Sequence, residues 1–261
     1  MTAATELAQA LTRAHGAAQG GIVSGALRRV LTLWGVLDIE NLDDSFAEYL
    51  RLAEPVLAEA KHNSARAAAG YYDMLRAAEG VPGTSPAGRF LADLVTSGEM
   101  ELSLGPIGPA YIRKALDGGM TFEQAARAAW VKQSGQMSHS ILGGSRDTIA
   151  HRIERDDRAI GYQRAPFDRN CCAFCGVLAS RGAVYKARGA AITAKNGKRY
   201  HDHCRCQPQP VFRAGTPLSD AGQRFHKLYA DHGDMNEVRR HLDGRTTKAE
   251  TEKPSGGSAD D

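Results

Sequence analysis

A chain of 261 residues with 42% hydrophobic residues can bury one sizeable core, or one core with a small satellite module. The net charge is only +3, yet residues 158–213 hold eleven Lys or Arg against the two acids Asp168 and Asp202, a local +9 that leaves −6 for the rest and favours the second arrangement. No basic segment leads into a long apolar run, and the longest apolar stretch, Val30 to Leu37, is broken by Thr32 and Gly35, so we expect a soluble chain with neither a membrane span nor a secretory signal of its own.

The N-terminal pattern is helical. Residues 2–18 are Ala-rich with Leu7 and Leu11 one turn apart, and after Gly20-Gly21 a second helix is expected with Val23, Leu27, Val30, Leu31 and Trp34 on one face. Asn41 to Ser45 offers N-caps for a third, carrying Phe46, Tyr49, Leu50, Ala53 and Leu57, which Pro55 either kinks or divides before the pattern resumes through Tyr72, Leu75 and Ala78. Trp34 and the Tyr71-Tyr72 pair lie on helical stripes and read as core rather than as a binding platform. Loops are expected at Gly80–Gly88 and Gly105–Pro109, with a short apolar segment, Phe90–Val95, between them. Thr121-Phe-Glu-Gln124 is a capping-box pattern with Phe122, Ala125, Ala126, Ala129 and Trp130 as the buried stripe behind it. Gly143-Gly144-Ser145 is expected to break that helix and cap the next, which carries Ile149 and Ile153. His139 and His151 have no partner at metal-site spacing and read as helix-surface residues.

Helix then gives way to a small α+β module. Ala159–Arg164 reads as a strand ended by Pro166, Gly176–Ser180 as a short helix, Gly189–Asn196 as a loop or helical turn and Lys198–Tyr200 as a strand. Gln207–Phe212 reads as a further strand that Pro208 and Pro210 consign to an edge. A helix is expected over Ser219–Tyr229 and a weaker one near Asn236–His241, and from Arg245 onward the polar composition gives a disordered tail. The expected fold class is α+β, mostly helical, with a helical region over 1–158, a basic Cys/His module over 159–213, a helical extension over 214–244 and the tail over 245–261.

All five cysteines fall within about 36 residues, as Cys-Cys-Ala-Phe-Cys at 171–175 and in Tyr-His-Asp-His-Cys-Arg-Cys at 200–206. Such crowding fits a metal site in a reducing compartment better than a disulfide framework. Cys172 and Cys175 form the firm chelating pair, because a Cys-x-x-Cys turn brings both sulfurs within reach of one tetrahedral ion, and Zn²⁺ is the expected cofactor. His201, His203, Cys204 and Cys206 offer the second pair. His201 with Cys204 has short-knuckle spacing and Cys206 is the first substitute, whereas on a strictly extended strand Cys204 and Cys206 would share a side opposite His201 and His203.

The run 169–182, Arg-Asn-Cys-Cys-Ala-Phe-Cys-Gly-Val-Leu-Ala-Ser-Arg-Gly, followed by Val184-Tyr185 and the 200–206 knuckle, resembles the C-terminal domain of phage Mu F-like minor head proteins, in the branch found in tailed phages of actinobacteria. The family's Cys-x-x-Cys and His-x-x-Cys-Arg-Cys fall on Cys172, Cys175, His201, Cys204 and Cys206. The resemblance covers roughly 159–213 and implies a minor head protein, added near the portal during assembly and sometimes titled a capsid maturation protease. Portal and major capsid proteins would be its partners, the virion its destination and the host cytoplasm its place of assembly. His203 and the extra thiol Cys171 depart from the family pattern, so the ligand set stays open.

Thiolate-rich ligation favours a closed structural zinc over a hydrolytic one, and no His-Glu-x-x-His occurs. An HNH-type nuclease would use a pair such as Asp202-His203 but needs an Asn soon after, and the first is Asn236. A protease would draw on Ser134, Ser138, Ser140, Ser145 or Ser180 with His139 or His151, yet Gly-x-Ser-x-Gly is absent. We therefore expect no catalytic residues, and we expect the basic module to meet a portal surface or, through sequence-independent phosphate contacts, phage DNA. The competing readings are a capsid maturation protease and an HNH-like nuclease.

Overall fold

Alanine-rich amphipathic sequence builds three long helices, and their shared contact forms the body of the protein. The computed structural model describes residues 3–85, 97–167, 173–184, 200 and 203–242. Helix α1 (Ala3–Leu33) lies along α2 (Leu42–Ala78), which in turn packs along α5 (Phe122–Arg155), while the short α3 (Ser97–Leu104) and α4 (Pro109–Asp117) close one end. Among the described residues no helix is long and apolar enough to cross a membrane. At the α3/α4 end Val23, Val30, Phe46, Tyr49, Leu57, Met137 and Ile141 share one core, with Trp34 set edge-on to both Tyr49 and Trp130. The paired tyrosines Tyr71 and Tyr72 are buried in a second core with Leu75, Ile149 and Ile153, as their helical spacing requires.

Two expected helix breaks do not occur, and Pro55, expected to kink or divide its helix, does not divide it. Gly20-Gly21 lies inside α1, Pro55 inside α2 and Gly143-Gly144-Ser145 inside α5. A helical glycine costs about 1 kcal/mol relative to alanine, and burial of Val23, Ala26 and Val30 just beyond Gly21 outweighs it. Pro55 faces solvent, so the Arg51 carbonyl that loses its intrahelical donor is left to water. Gly144 has a different purpose, since a Cβ there would sit 2.3 Å from the Lys61 carbonyl oxygen of α2. It is a point of close backbone approach between the two helices. A buried polar seam fixes their register at that point: Ser64 Oγ donates to Gln19 Oε1 at 2.6 Å, Gln19 Nε2 donates to the Ser64 carbonyl at 3.0 Å, and the Ser145 amide donates to Ser64 Oγ at 3.2 Å. Leu7 and Leu31, expected on buried stripes, are exposed instead.

The Thr121 capping box forms as its sequence predicts, with Gln124 N–H on Thr121 Oγ1 and the Thr121 amide on Gln124 Oε1. At the other end of α5 the chain turns on Asp156, which accepts from Arg76 Nε at 2.9 Å, Tyr72 Oη at 3.0 Å and the Arg158 amide at 3.1 Å. This turn delivers β1 (Gly161–Pro166), paired antiparallel with β2 (Cys206–Val211) from Gly161 opposite Val211 to Pro166 opposite Cys206. Pro208 and Pro210 have no N–H to give and stand two apart, so in both the backbone nitrogen is on the side of β2 turned away from β1, its partner among the described residues. Between the strands comes α6 (Ala173–Ser180), and α7 (Asp220–His232) packs on it so closely that a Cβ on Gly176 would meet the Phe225 ring at 2.2 Å. Ser219 caps α7, and α8 (Met235–Leu242) follows Gly233, whose φ of 69° ends α7. Tyr162, Leu178 and Phe212 enter the second core, which is how the module joins the body. The expected elements at Phe90–Val95 and Gly189–Asn196, the strand at Lys198–Tyr200 apart from Tyr200 itself, and the tail over 245–261 lie outside the described residues.

The two adjacent glycines of α5 should respond oppositely to the same change. Gly144→Ala forces backbone apart and is expected to cost about 1–3 kcal/mol, whereas Gly143→Ala, with nothing within 4 Å, should stabilise by up to about 1 kcal/mol. Urea unfolding of both variants measures the contrast. Burial pushes the Asp156 carboxyl up, but the bonds from Arg76, the Arg158 amide and Tyr72 prevail and hold it below its ordinary range. Its contribution is therefore present above the unfolded carboxyl pKa of about 3.9 and is lost as pH falls through the lower folded value. Asp156→Asn should lower stability near neutral pH and flatten the acid limb of a stability-versus-pH curve.

Candidate metal centre

The cysteines are brought together by two local geometries. Cys175 lies in the first turn of α6, and Cys204 and Cys206 flank Arg205 at the entry to β2, where the two-residue period puts both sulfurs on one face and turns Arg205 outward. His203 is the described non-glycine residue with positive φ, 61°, and this left-handed step folds the knuckle back toward α6. Its ring rests on Gly135 of α5, where a Cβ would lie 2.4 Å from His203 Nε2. His203 is thus a docking contact.

The three sulfur atoms lie within 4.8 Å of one another, with Cys175 Sγ and Cys204 Sγ 3.3 Å apart, and each cysteine is almost wholly buried. Sulfurs on a tetrahedral Zn²⁺ with bonds of about 2.3 Å stand about 3.8 Å apart, so the trio has the size of one face of such a site. Hydrogen bonding with Cys175 and Cys206, together with the nearby Arg146 charge, outweighs burial and holds the Cys204 thiol far below the ordinary thiol range. A group already disposed to ionise, packed against two more thiols, fits a dication that must displace their protons. The buried Cys175–Cys204–Cys206 cluster can hold a metal ion.

Two arginines complete the centre, and the sequence reading assigned neither a role. Arg146 of α5, only 4% exposed, donates from Nη2 to the Cys204 carbonyl at 2.6 Å and from Nε to the Cys206 carbonyl at 3.2 Å. Its guanidinium also lies 3.9 Å from the centroid of the Tyr200 ring, and that of Arg164, fully buried on β1, lies 4.2 Å from the same ring. Burial works against the Arg164 charge, but Tyr200 and the sulfurs of Cys206, Cys204 and Cys175 more than offset it. A signal was present in both cases. Arg146 falls at helical spacing between Leu142 and Ile149, and Arg164 shares the β1 face of Tyr162.

Of the expected ligands, Cys175 and Cys204 are placed together with the substitute Cys206, while Cys172 and His201 lie outside the described residues, as does Cys171. No histidine or carboxylate joins the trio among the described residues. One Ser–His contact escaped the sequence reading: His15 Nε2 lies 3.2 Å from Ser145 Oγ. Its polarity is inverted for nucleophilic catalysis. Ser145 is fully buried behind the ring, and His15 Nδ1 meets no orienting carboxylate but stands without a hydrogen-bond partner. Ser134 and Ser138 donate to backbone carbonyls of their own helix, at Val131 and Ser134.

A family model described as VG15 protein matches residues 5–232, which take in all three long helices, both strands and the cysteine cluster. The chain belongs to the VG15 family. VG15 is a phage-associated family, and the match runs through body and cysteine module alike. No curated protein and no solved structure matches this VG15 chain.

The Arg146 tie gives a direct test of how the centre is held. Arg146→Met leaves two buried carbonyls without their charged donor and should cost about 2–4 kcal/mol. Calorimetric unfolding of the variant beside the unaltered protein reads it. A cost below about 0.5 kcal/mol, typical of a surface substitution, would show that the carbonyls find other donors.

Proposed function

We propose that this VG15 protein is a minor head protein of a tailed phage, in which a structural Zn²⁺ clamps the small α+β module onto the helical body. The observation that carries the reading is the buried thiol trio tied through Arg146 to α5. The Mu F-like resemblance of 159–213 supplies the assembly role and the partners, namely portal and major capsid proteins. When bound, the ion would supply crosslinking of α6 to the β2 knuckle, with Cys175, Cys204 and Cys206 as three of its ligands. Charge balance favours a thiolate as the fourth. A dication with three thiolates carries one net negative charge and with four it carries two, which the buried Arg146 and Arg164 would match. Cys172, in the Cys-x-x-Cys with Cys175, would then rank ahead of His201.

Hydrolysis is the weaker reading. A thiolate-closed ion has no position for a water, and the His15–Ser145 contact faces the wrong way. DNA contact is a second assignment for the basic module, with less charge behind it than composition alone suggests. Arg164 is committed to the interior and Arg213 pairs with Glu79, the residue that caps the end of α2. Among the described residues of the basic segment, Arg158 and Arg181 are exposed and would face phosphate or an acidic portal surface.

Metal analysis of protein purified without chelator should find about one Zn²⁺ per chain, and Cys175→Ser should abolish it. Mass spectrometry of purified virions should find the chain at far lower abundance than the major capsid protein, and a capsid precursor incubated with it should stay intact. A zinc-free protein would overturn the clamp. Absence from the virion, or specific cleavage lost in a single Ser or His variant, would overturn the assembly role.

A further inference from the structure

The thiol trio is open to a second chemistry besides holding an ion. Cys175, Cys204 and Cys206 are free thiols, and the sulfurs of Cys175 and Cys204 stand 3.3 Å apart and share a hydrogen bond. That is closer than the separation of about 3.8 Å that a tetrahedral Zn²⁺ would impose. A disulfide holds its sulfurs about 2.05 Å apart, so closure asks for a further approach of roughly 1.2 Å. The two cysteines are 29 residues apart in the chain, and a bond between them would join α6 to the β2 knuckle rather than tighten a single turn.

The surroundings select this pair from the three. Cys206 opens β2 opposite Pro166, so its backbone is held by the sheet. Cys204 lies ahead of the strand, directly after the left-handed His203, and Cys175 lies in the first turn of α6. Either can shift by the small distance required without disturbing the strand pairing. A bond between Cys204 and Cys206 is disfavoured by reach, because two extended residues span about 6.8 Å, the outer limit of the Cα separations that a disulfide bridges. Tyr200 packs with all three cysteines, and Arg146 holds the carbonyls of Cys204 and Cys206, so the pair is kept in one place while still reduced. Both sulfurs are shielded, since Cys175 is 1% and Cys204 2% exposed, and a reagent meets them only when the knuckle opens.

We propose that Cys175 and Cys204 form a redox-active dithiol, which a small-molecule disulfide converts to an intramolecular Cys175–Cys204 disulfide with release of any ion held there. In the first step the thiolate of one cysteine attacks a sulfur of the reagent R–S–S–R, the reagent's S–S bond breaks, and one RS⁻ leaves behind a mixed disulfide. The thiolate of the other cysteine then attacks the protein sulfur of that mixed disulfide and expels the second RS⁻. The two protein sulfurs give up two electrons and the reagent gains them. The protons of the two protein thiols go to the two RS⁻, and solvent supplies them where the sulfurs had held an ion. Cys206 stays a thiol. The inference rests on the reading of the trio as the clamp between α6 and the β2 knuckle and deepens it, because the crosslink outlasts the ion. On the head-protein reading the chain passes from a reducing cytoplasm to a particle outside the cell, and the ion serves in the first setting and the disulfide in the second.

The test adds oxidised glutathione to the full-length chain as purified, alkylates the remaining thiols in denaturant and maps the peptides by mass spectrometry without reduction. A peptide pair joined through Cys175 and Cys204 is expected, with Cys206 alkylated. Cys206→Ser should still form the bond and Cys204→Ser should lose it, and the mapping of the unaltered chain decides by itself if a variant does not fold. The oxidised chain should melt several degrees above the same chain reduced and stripped of metal, because the bond closes a long loop in the unfolded state. Thiols that stay reduced, a bond at Cys171, Cys172 or Cys206 in place of the expected one, or an oxidised chain that melts no higher would overturn the proposal. Zinc content is measured on the same preparation before oxidation. A zinc-free chain that forms the Cys175–Cys204 bond upholds the dithiol and overturns the ion, whereas a zinc-loaded chain that does not form it overturns the dithiol and leaves the ion.

Discussion

The backbone contact of α5 with α2 is the constraint on which the other arrangements rest. With Gly144 against the Lys61 carbonyl, α5 cannot rotate or slide without breaking the seam of Gln19, Ser64 and Ser145. Two residues further along the helix, Arg146 is thereby aimed at the carbonyls of Cys204 and Cys206, and more than two turns earlier Gly135 receives the His203 ring. One helix thus holds the body on one side and the knuckle on another. Interiors packed at crystal-like density transmit such constraints, because no neighbour has slack to absorb a shift.

Much of this was legible in the chain. The capping box at Thr121, the edge prolines of β2, the strand ended by Pro166 and the helix beginning near Ser219 depend on neighbours a few residues away, and sequence displays such neighbours directly. The joint placement of Cys204 and Cys206 follows from strand alternation, one of the two arrangements the knuckle spacing allowed. The continuity of α1 and α5 was not legible. Glycine pairs weaken a helix locally, and only a partner helix makes the smallness of Gly144 worth its cost. His15 and Ser145 are separated by 130 residues, and no local pattern announces their contact. Arg146 and Arg164 lay between these cases: their positions on buried faces could be read from periodicity, but a charged residue on such a face is ordinarily assigned to solvent.

Burying two guanidiniums in one small module is a choice with a physical consequence. Each is expensive to remove from water, and the stacking on Tyr200 recovers only part of that cost. The thiol trio is what makes them tolerable, and it does so fully only when the sulfurs are ionised. Protonated thiols would leave the positive charges facing neutral sulfur, while bare thiolates 3.3 Å apart would repel one another. A bound dication would resolve both conflicts at once, holding the thiolates together and leaving an anionic cluster for the arginines to face. The module and the helical body would then be coupled through charge as well as through packing, because the arginine that bonds the knuckle carbonyls is carried by α5 itself. A single family match runs from the first helix through the cysteine cluster to α7, and it takes in both the helix that holds Arg146 and the knuckle whose carbonyls that arginine bonds.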